Sequence, residues 1–329
     1  MALKHDLLIL GSQNSKVEDQ ELTRDQIRPV QILRATGEVE EISFFNSWGK
    51  VGVSSVAWQR SNPSELYVSD NDLIFRLNTR TGEYSSLDIS DLGDIHDIHI
   101  YDGILTIANT EYDEIVCYDL DTDQITNRLS LASYREELDK TDYAEGQVKD
   151  RFHCNQAFKD YNGNLCALIH NITGWQYYRI VLEMLVRRQG DGGIINLDTG
   201  EIKHLKLQSP HTVRLINNEF WIQDSTDKST KIYDKNWELT DSIDTSGFGR
   251  GMDFSEKQNV GYVGISATRK RYLRVIPTNE KLSNRVMVVD LTSKKELGFH
   301  PIPNIEQMDN VYLYEGELKA HIEGLQKLS

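Results

Sequence analysis

Six copies of one hairpin, a second strand pair ahead of each, and a last pair divided between the two chain ends predict an all-β fold. The pattern fits a six-bladed β-propeller occupying residues 1–329 as one domain. The hairpin joins two alternating apolar–polar stretches through a polar turn of the type Asp/Asn-x-Thr-Gly. Its copies are VQILRATGEVEEIS (30–43), LIFRLNTRTGEYSSLDI (73–89), IVCYDLDTDQITNRLSL (115–131), GIINLDTGEIKHLKL (193–207), KIYDKNWELTDSI (231–243) and VMVVDLTSKKELGFHPI (286–302).

The unit ahead of each hairpin is a strand, a turn, and a strand ending in small or polar residues. Five copies are continuous: VAWQRSNPSELYVSD, IHIYDGILTIANT, QAFKDYNGNLCALIHN, VRLINNEFWIQDS and MDFSEKQNVGYVGIS. The sixth is split, with NVYLYEG (310–316) as the inner strand and DLLILGS (6–12) as its neighbour. A blade built from both ends ties the termini together and leaves no free sheet edge. A many-stranded sandwich would not require six matched copies.

Three segments break the rhythm. Residues 132–150 and 172–191 have helical composition, and in the second Tyr177, Val181, Met184 and Leu185 recur at helical spacing. They read either as a cover over an axial pocket or as packing and oligomer contacts. Residues 267–285 are the one basic stretch in an acidic chain, suited to attracting an anionic substrate or to lying solvated in a loop.

Composition narrows the function classes. A net charge of −15 argues against nucleic acid, whose phosphates need a basic surface. No apolar run approaches the roughly 20 residues that span a bilayer. The opening MALKHDLLILGSQ has an apolar run of four and an early Asp6, too short and too charged for a secretory leader. Cys117, Cys154 and Cys166 are odd in number and lack CxxC spacing, so they read as buried free thiols of a reducing, cytoplasmic setting.

In a propeller the first strand of each blade lines the central channel, so the residues just ahead of it crowd the axis. Aligned there, the blades offer Ser54 or Ser55, His96, His153, His211, Arg250, and Asp309 or Gln307. In GDIHDIHIYDG, strand parity assigns His96 to this ring and turns His99 away into the blade. A cap on a backbone carbonyl would explain any one histidine. Three at one equivalent position point instead to a shared site, either metal ligands or an acid/base cluster. Neutral imidazoles of His96, His153 and His211 suit Zn²⁺, Mn²⁺ or Fe²⁺, and a nearby carboxylate favours the harder ions. Asp150 beside His153, or Asp97 beside His96, could orient a ligand imidazole from behind. Arg250 stands between two glycines in GRG, where backbone can pass close to a ligand. Its fork suits a carboxylate, sulfate or phosphate, with Arg151, Asp309, Gln307 and Ser54 as further substrate contacts.

At these residues the chain resembles a family of uncharacterised bacterial propeller proteins that carry phrases close to DRFHCNQ, GGIINLDTGE, SPHTVRLINNEFWIQDS and GFGRGMDF…YVGIS. The resemblance spans roughly residues 50 to 316 and implies the propeller fold and a role for His153, His211 and Arg250. It implies no particular reaction. In architecture the chain is also similar to propeller lyases of uronic-acid sugars, which gather axial histidines around a metal. The expected function is therefore an enzyme, a metal- or histidine-dependent lyase, isomerase or hydrolase, acting on a small anionic substrate with His96, His153, His211 and Arg250 as catalytic residues. The alternative is a non-catalytic propeller that binds a peptide, a protein partner or a metabolite.

Overall fold

The structure, a computed structural model, describes residues 3–12, 26, 28–46, 48, 52–134, 150–172, 190–267 and 283–328. The expectations placed on 132–150, 172–191 and 267–285 fall almost wholly outside those residues. The strands pair into six antiparallel sheets of four, as the repeat requires. The innermost strands are Ser55–Ala57, Ile95–Tyr101, Cys154–Lys159, Pro210–Ile216, Phe248–Ser255 and Gln307–Leu313, for blades one to six in that order. Blade six is the shared one. Gln307–Leu313 pairs with Leu7–Ser12, followed outward by Val30–Leu33 and Val39–Glu41.

The hairpin turns form for a local reason. Asn78 Oδ1 accepts the backbone N–H groups of Arg80 and Thr81, and Asp119 Oδ1 those of Asp121 and Thr122. Asn196 Oδ1 does the same for Asp198 and Thr199. Each carboxamide or carboxylate folds the chain back onto itself, which is why this turn starts on Asp or Asn.

Period-two alternation then distributes the core. Leu7 and Ile9 face blade five, while Leu8 and Leu10 face blade one. The same division runs round the ring, so the apolar core consists of six clusters, one in each cleft between neighbouring blades. Cys117, Cys154 and Cys166 are free and buried, consistent with their reading as inert thiols. A C-terminal helix, Gly316–Gln326, had no counterpart in the sequence reading; it buries Leu318, Ile322 and Leu325 against blades six and one. Among the described residues no helix is long and apolar enough to cross a membrane.

The inner strands share a feature that simple alternation cannot show. In five of the six blades the register slips by one residue near the strand's start. The slips fall between Ile95 and Ile98, Cys154 and Gln156, Pro210 and Val213, and Gly249 and Met252, with the last at Asp309. A bulge of this kind leaves a residue outside the ladder and re-aims its side chain. Hydrogen bonds then lace blade to blade at the bulges and just beyond them. Ser55 Oγ donates to Asp97 Oδ1 (2.5 Å), and Gln156 Nε2 donates to Asp97 Oδ2 (2.7 Å). Val213 N–H donates to Gln156 Oε1 (2.7 Å), and Gly251 N–H to Thr212 Oγ1 (3.1 Å). Leu313 N–H donates to Asp253 Oδ2 (2.6 Å), and Tyr312 OH meets Ser55 Oγ at 3.0 Å to close the circle.

Candidate functional site

The bulges carry His96, His211, Arg250 and Asp309 to one mouth of the channel, and His153 reaches it from the residue just before its strand. The rings of His96 and His153 lie 4.9 Å apart, and those of His96 and His211 6.3 Å. His153 holds its backbone at φ +50°, a conformation that costs a non-glycine residue on the order of 1–3 kcal/mol. Asp94 and Asp150 also have positive φ, at +48° and +59°.

Asp94, His96 and His153 each offer one potential ligand atom, and these atoms lie within 4.8 Å of one another. Sequence reading had expected His211 to complete this trio with the other two histidines. Asp94 takes that place, lying 3.4 Å from His96 Nε2. Burial alone would raise the Asp94 carboxyl. The facing His96, with His153 and Arg250 beyond it, instead holds it well below the usual carboxylate range. His153 Nδ1 is held by Asp150 Oδ1 at 2.7 Å, which leaves Nε2 for a ligand. Burial would lower the His153 imidazole, but the Asp150 bond and charge outweigh it and raise it. Of the two carboxylates the sequence offered for that place, Asp150 is the one that contacts its histidine.

Two expectations about GDIHDIHIYDG are corrected. His99 does not turn away into the blade, because the bulge between Ile95 and Ile98 breaks the parity that separated it from His96. It lines the channel further along the same strand. Asp97 does not back His96; its Oδ2 lies 3.0 Å from His99 Nε2.

His211 stands beside the trio in a different state. Its Nδ1 lies 2.9 Å from the Ser209 carbonyl and 2.7 Å from Ser225 Oγ. Ser225 spends its own proton on the Gly249 carbonyl (2.6 Å), so Nδ1 must be the protonated nitrogen and Nε2 keeps its lone pair. Burial first, then Arg250 and His96, lower the His211 pKa well below the ordinary histidine value. His170, which sequence reading missed, has its ring 5.5 Å from that of His153. Its Nε2 meets the Gln208 carbonyl at 2.7 Å, and burial, with His153, brings its pKa down to about 4. Its signal was the polar end of the second strand, a repeat feature that sequence alone does not connect to the axis.

Arg250 reaches the mouth paired with Asp309 (Nη1–Oδ1, 2.9 Å). Gln307 Nε2 donates to the same oxygen at 2.7 Å, and Asp309 Oδ2 is buried without a hydrogen-bond partner among the described residues. The glycine after Arg250 is required. Gly251 has φ +70°, and a Cβ there would overlap the Asn310 backbone. Ser54 spans blades one and two through Ser69 Oγ (2.8 Å) and the Ile95 carbonyl (3.2 Å). The Arg151 backbone N–H is anchored by Asp113 Oδ2 at 2.7 Å.

The fold and site define a six-bladed β-propeller with a histidine–carboxylate cluster at one end of its axis. Residues 170–316 match the family described as a domain of unknown function (DUF4915). The match takes in three of the four axial phrases that carried the resemblance; DRFHCNQ lies just ahead of it. No curated protein matches the sequence. Among solved structures, the chain is similar to one from a nidogen/laminin complex, at 12% identity and TM-score 0.58, covering 93% of this chain and 97% of that one. It is also similar to a protein of unknown function from Bacteroides caccae, at 11% identity and TM-score 0.57, with 94% and 98% covered. A third is a luciferin-regenerating enzyme, at 13% identity and TM-score 0.51, with 78% of each chain covered. At these identities the likeness establishes the fold alone.

Proposed function

We propose that the histidine mouth holds one divalent cation and that the protein is an enzyme acting there on a small anionic substrate, as a lyase, isomerase or hydrolase. The observation that carries this reading is the trio of Asp94, His96 and His153, with ligand atoms within 4.8 Å and His153 braced by Asp150. Two histidines and one carboxylate suit Fe²⁺, Mn²⁺ or Zn²⁺ and leave coordination positions open. A cation held there supplies a Lewis acid that polarises a substrate carboxylate or carbonyl oxygen.

The chain's own groups supply the remainder. Arg250, fixed by Asp309, presents its remaining donors to an anion. His211 keeps an unprotonated Nε2 and is the group placed to accept a proton from substrate. The Asp309 pairing also offsets part of the arginine's charge, and this favours the second reading, a binder of small metabolites without chemistry.

A thermal-shift screen of small mono- and dicarboxylic acids, run with Mn²⁺ or Zn²⁺, tests the proposal, with proton NMR to follow any stabilising acid for turnover. Stabilisation that needs both cation and acid, is lost in Arg250→Met, and is accompanied by turnover supports the enzyme. Cation-dependent stabilisation without turnover across the screen supports the binder. No acid that stabilises in either condition refutes both.

A further inference from the structure

Beyond the lacing of Ser55, Asp97 and Gln156, the other end of the channel opens into a cavity of about 390 Å³ lined by all six innermost strands. It is separate from the histidine mouth, since His96 and His99 lie three residues apart along one strand, roughly 10 Å. Its volume falls within the range of small-molecule sites. The walls include Trp58, Tyr101, Phe158 and Tyr312, and the polar groups include Lys159, His99, Gln156, Arg214 and Asp253.

Arg214 and Asp253 share this cavity, yet neither forms an ion pair among the described residues. Among the described residues the Arg214 guanidinium donates only to the Val213 carbonyl (2.9 Å), leaving most of its fork unused. Asp253 accepts two backbone N–H groups, from Phe254 (2.9 Å) and Leu313 (2.6 Å), and no cation. Burial pushes its carboxyl up in spite of those bonds and of Arg214. Of the nearby charged groups, Asp97 is engaged by Ser55, Ile98, His99 and Gln156, and Lys159 stands over the Tyr101 ring at 6.0 Å. Gln156 is held with Oε1 on the Val213 N–H, so its amide protons face Asp97 and His99 Nε2 (2.8 Å). His99 Nε2 also lies 3.0 Å from Asp97 Oδ2, so this histidine belongs to the Asp97 cluster.

A guanidinium and a carboxylate that leave each other unpaired between aromatic walls complement a molecule carrying both charges and an apolar body. We propose that this second cavity binds a free α-amino acid with an aromatic or large apolar side chain, its carboxylate on Arg214 and its ammonium on Asp253.

Calorimetric titration of the full chain with L-phenylalanine, 3-phenylpropionate and phenethylamine tests this directly, because the last two each lack one charged group. The expected result is L-phenylalanine binding at least about tenfold tighter than either analogue. Arg214→Met and Asp253→Asn should each remove that preference, while His153→Ala leaves it intact. Should either cavity variant fail to fold, the Trp58 indole N–H resonance, assigned with Trp58→Phe, must shift on adding L-phenylalanine to the unaltered protein. Equal affinity for the three probes, or no binding up to about 10 mM, overturns the proposal. Loss of binding in His153→Ala overturns it too, by placing the probe at the opposite mouth and leaving the metal reading untouched.

Discussion

His153 and Asp150 meet at 2.7 Å with both backbones in the left-handed region, so the pair that braces the candidate metal centre is also one of its strained points. Strain kept beside a cluster of ligating groups is stabilised by the structure around it, here Asp113, whose carboxylate accepts the N–H groups of Arg151 and Phe152 at 2.7 and 2.8 Å.

Asp150→Ala should weaken divalent-cation binding by roughly 10–100-fold, the usual effect of losing a carboxylate behind a ligand histidine. Calorimetry with Mn²⁺ or Zn²⁺ reads the effect. Unchanged affinity would mean that Asp150 orients nothing.

Replacing His153 separates strain from function. His153→Gly should be more stable to urea than His153→Ala by about 1 kcal/mol, because glycine takes φ +50° without steric cost. Both should lose the metal. An alanine variant as stable as the glycine variant would show that the backbone relaxes once the imidazole is gone.

Asp224 gives a pH-dependent prediction. It is buried, accepts N–H groups from Gln208 and Ser209 at 2.8 and 2.9 Å, and burial raises its pKa from 3.8 to about 7. The folded state thus prefers the protonated acid. The penalty is absent below pH 3.8, grows as pH rises toward 7, and is complete above it. Asparagine keeps the accepting oxygen without the charge. Asp224→Asn should therefore gain on the order of 2–4 kcal/mol relative to the unaltered chain between pH 4 and pH 8, in urea melts at the two values. A difference that does not change with pH would contradict the raised carboxyl.

Gly251→Ala should cost about 3 kcal/mol or more and displace Arg250, because it combines positive φ with a clash against the Asn310 backbone. A variant of normal stability would mean that the blade five–six contact yields easily.

The fold was legible because it repeats. Each hairpin carries its own turn chemistry, as at Asn78, Asp119 and Asn196, and each strand its own alternation. Six copies make one conclusion out of weak local signals. The convergence of His96, His153 and Arg250 was legible for the same reason, as equivalent places in successive blades. What parity could not supply was the bulge. One extra residue between Ile95 and Ile98 brings His99 back to the channel and gives Asp97 to His99 and Gln156. Nothing in that stretch marks the slip, since a bulge is set by cross-strand pairing. Asp94 is not legible because its place beside His96 depends on a left-handed turn at φ +48°, and the helix at 316–326 because its short apolar spacing, Leu318, Ile322 and Leu325, lies outside the strand repeat.

Whether Asp94, His96 and His153 hold one cation is decided by elemental analysis of protein purified without chelator, joined to calorimetric titration of the stripped protein with Mn²⁺, Zn²⁺ and Fe²⁺. One ion per chain is expected, lost in His96→Ala and in His153→Ala, and retained within about threefold in His211→Ala, which lies outside the trio whose ligand atoms come within 4.8 Å of one another. No bound ion under any of the three metals, or binding that persists unchanged without both His96 and His153, would contradict it.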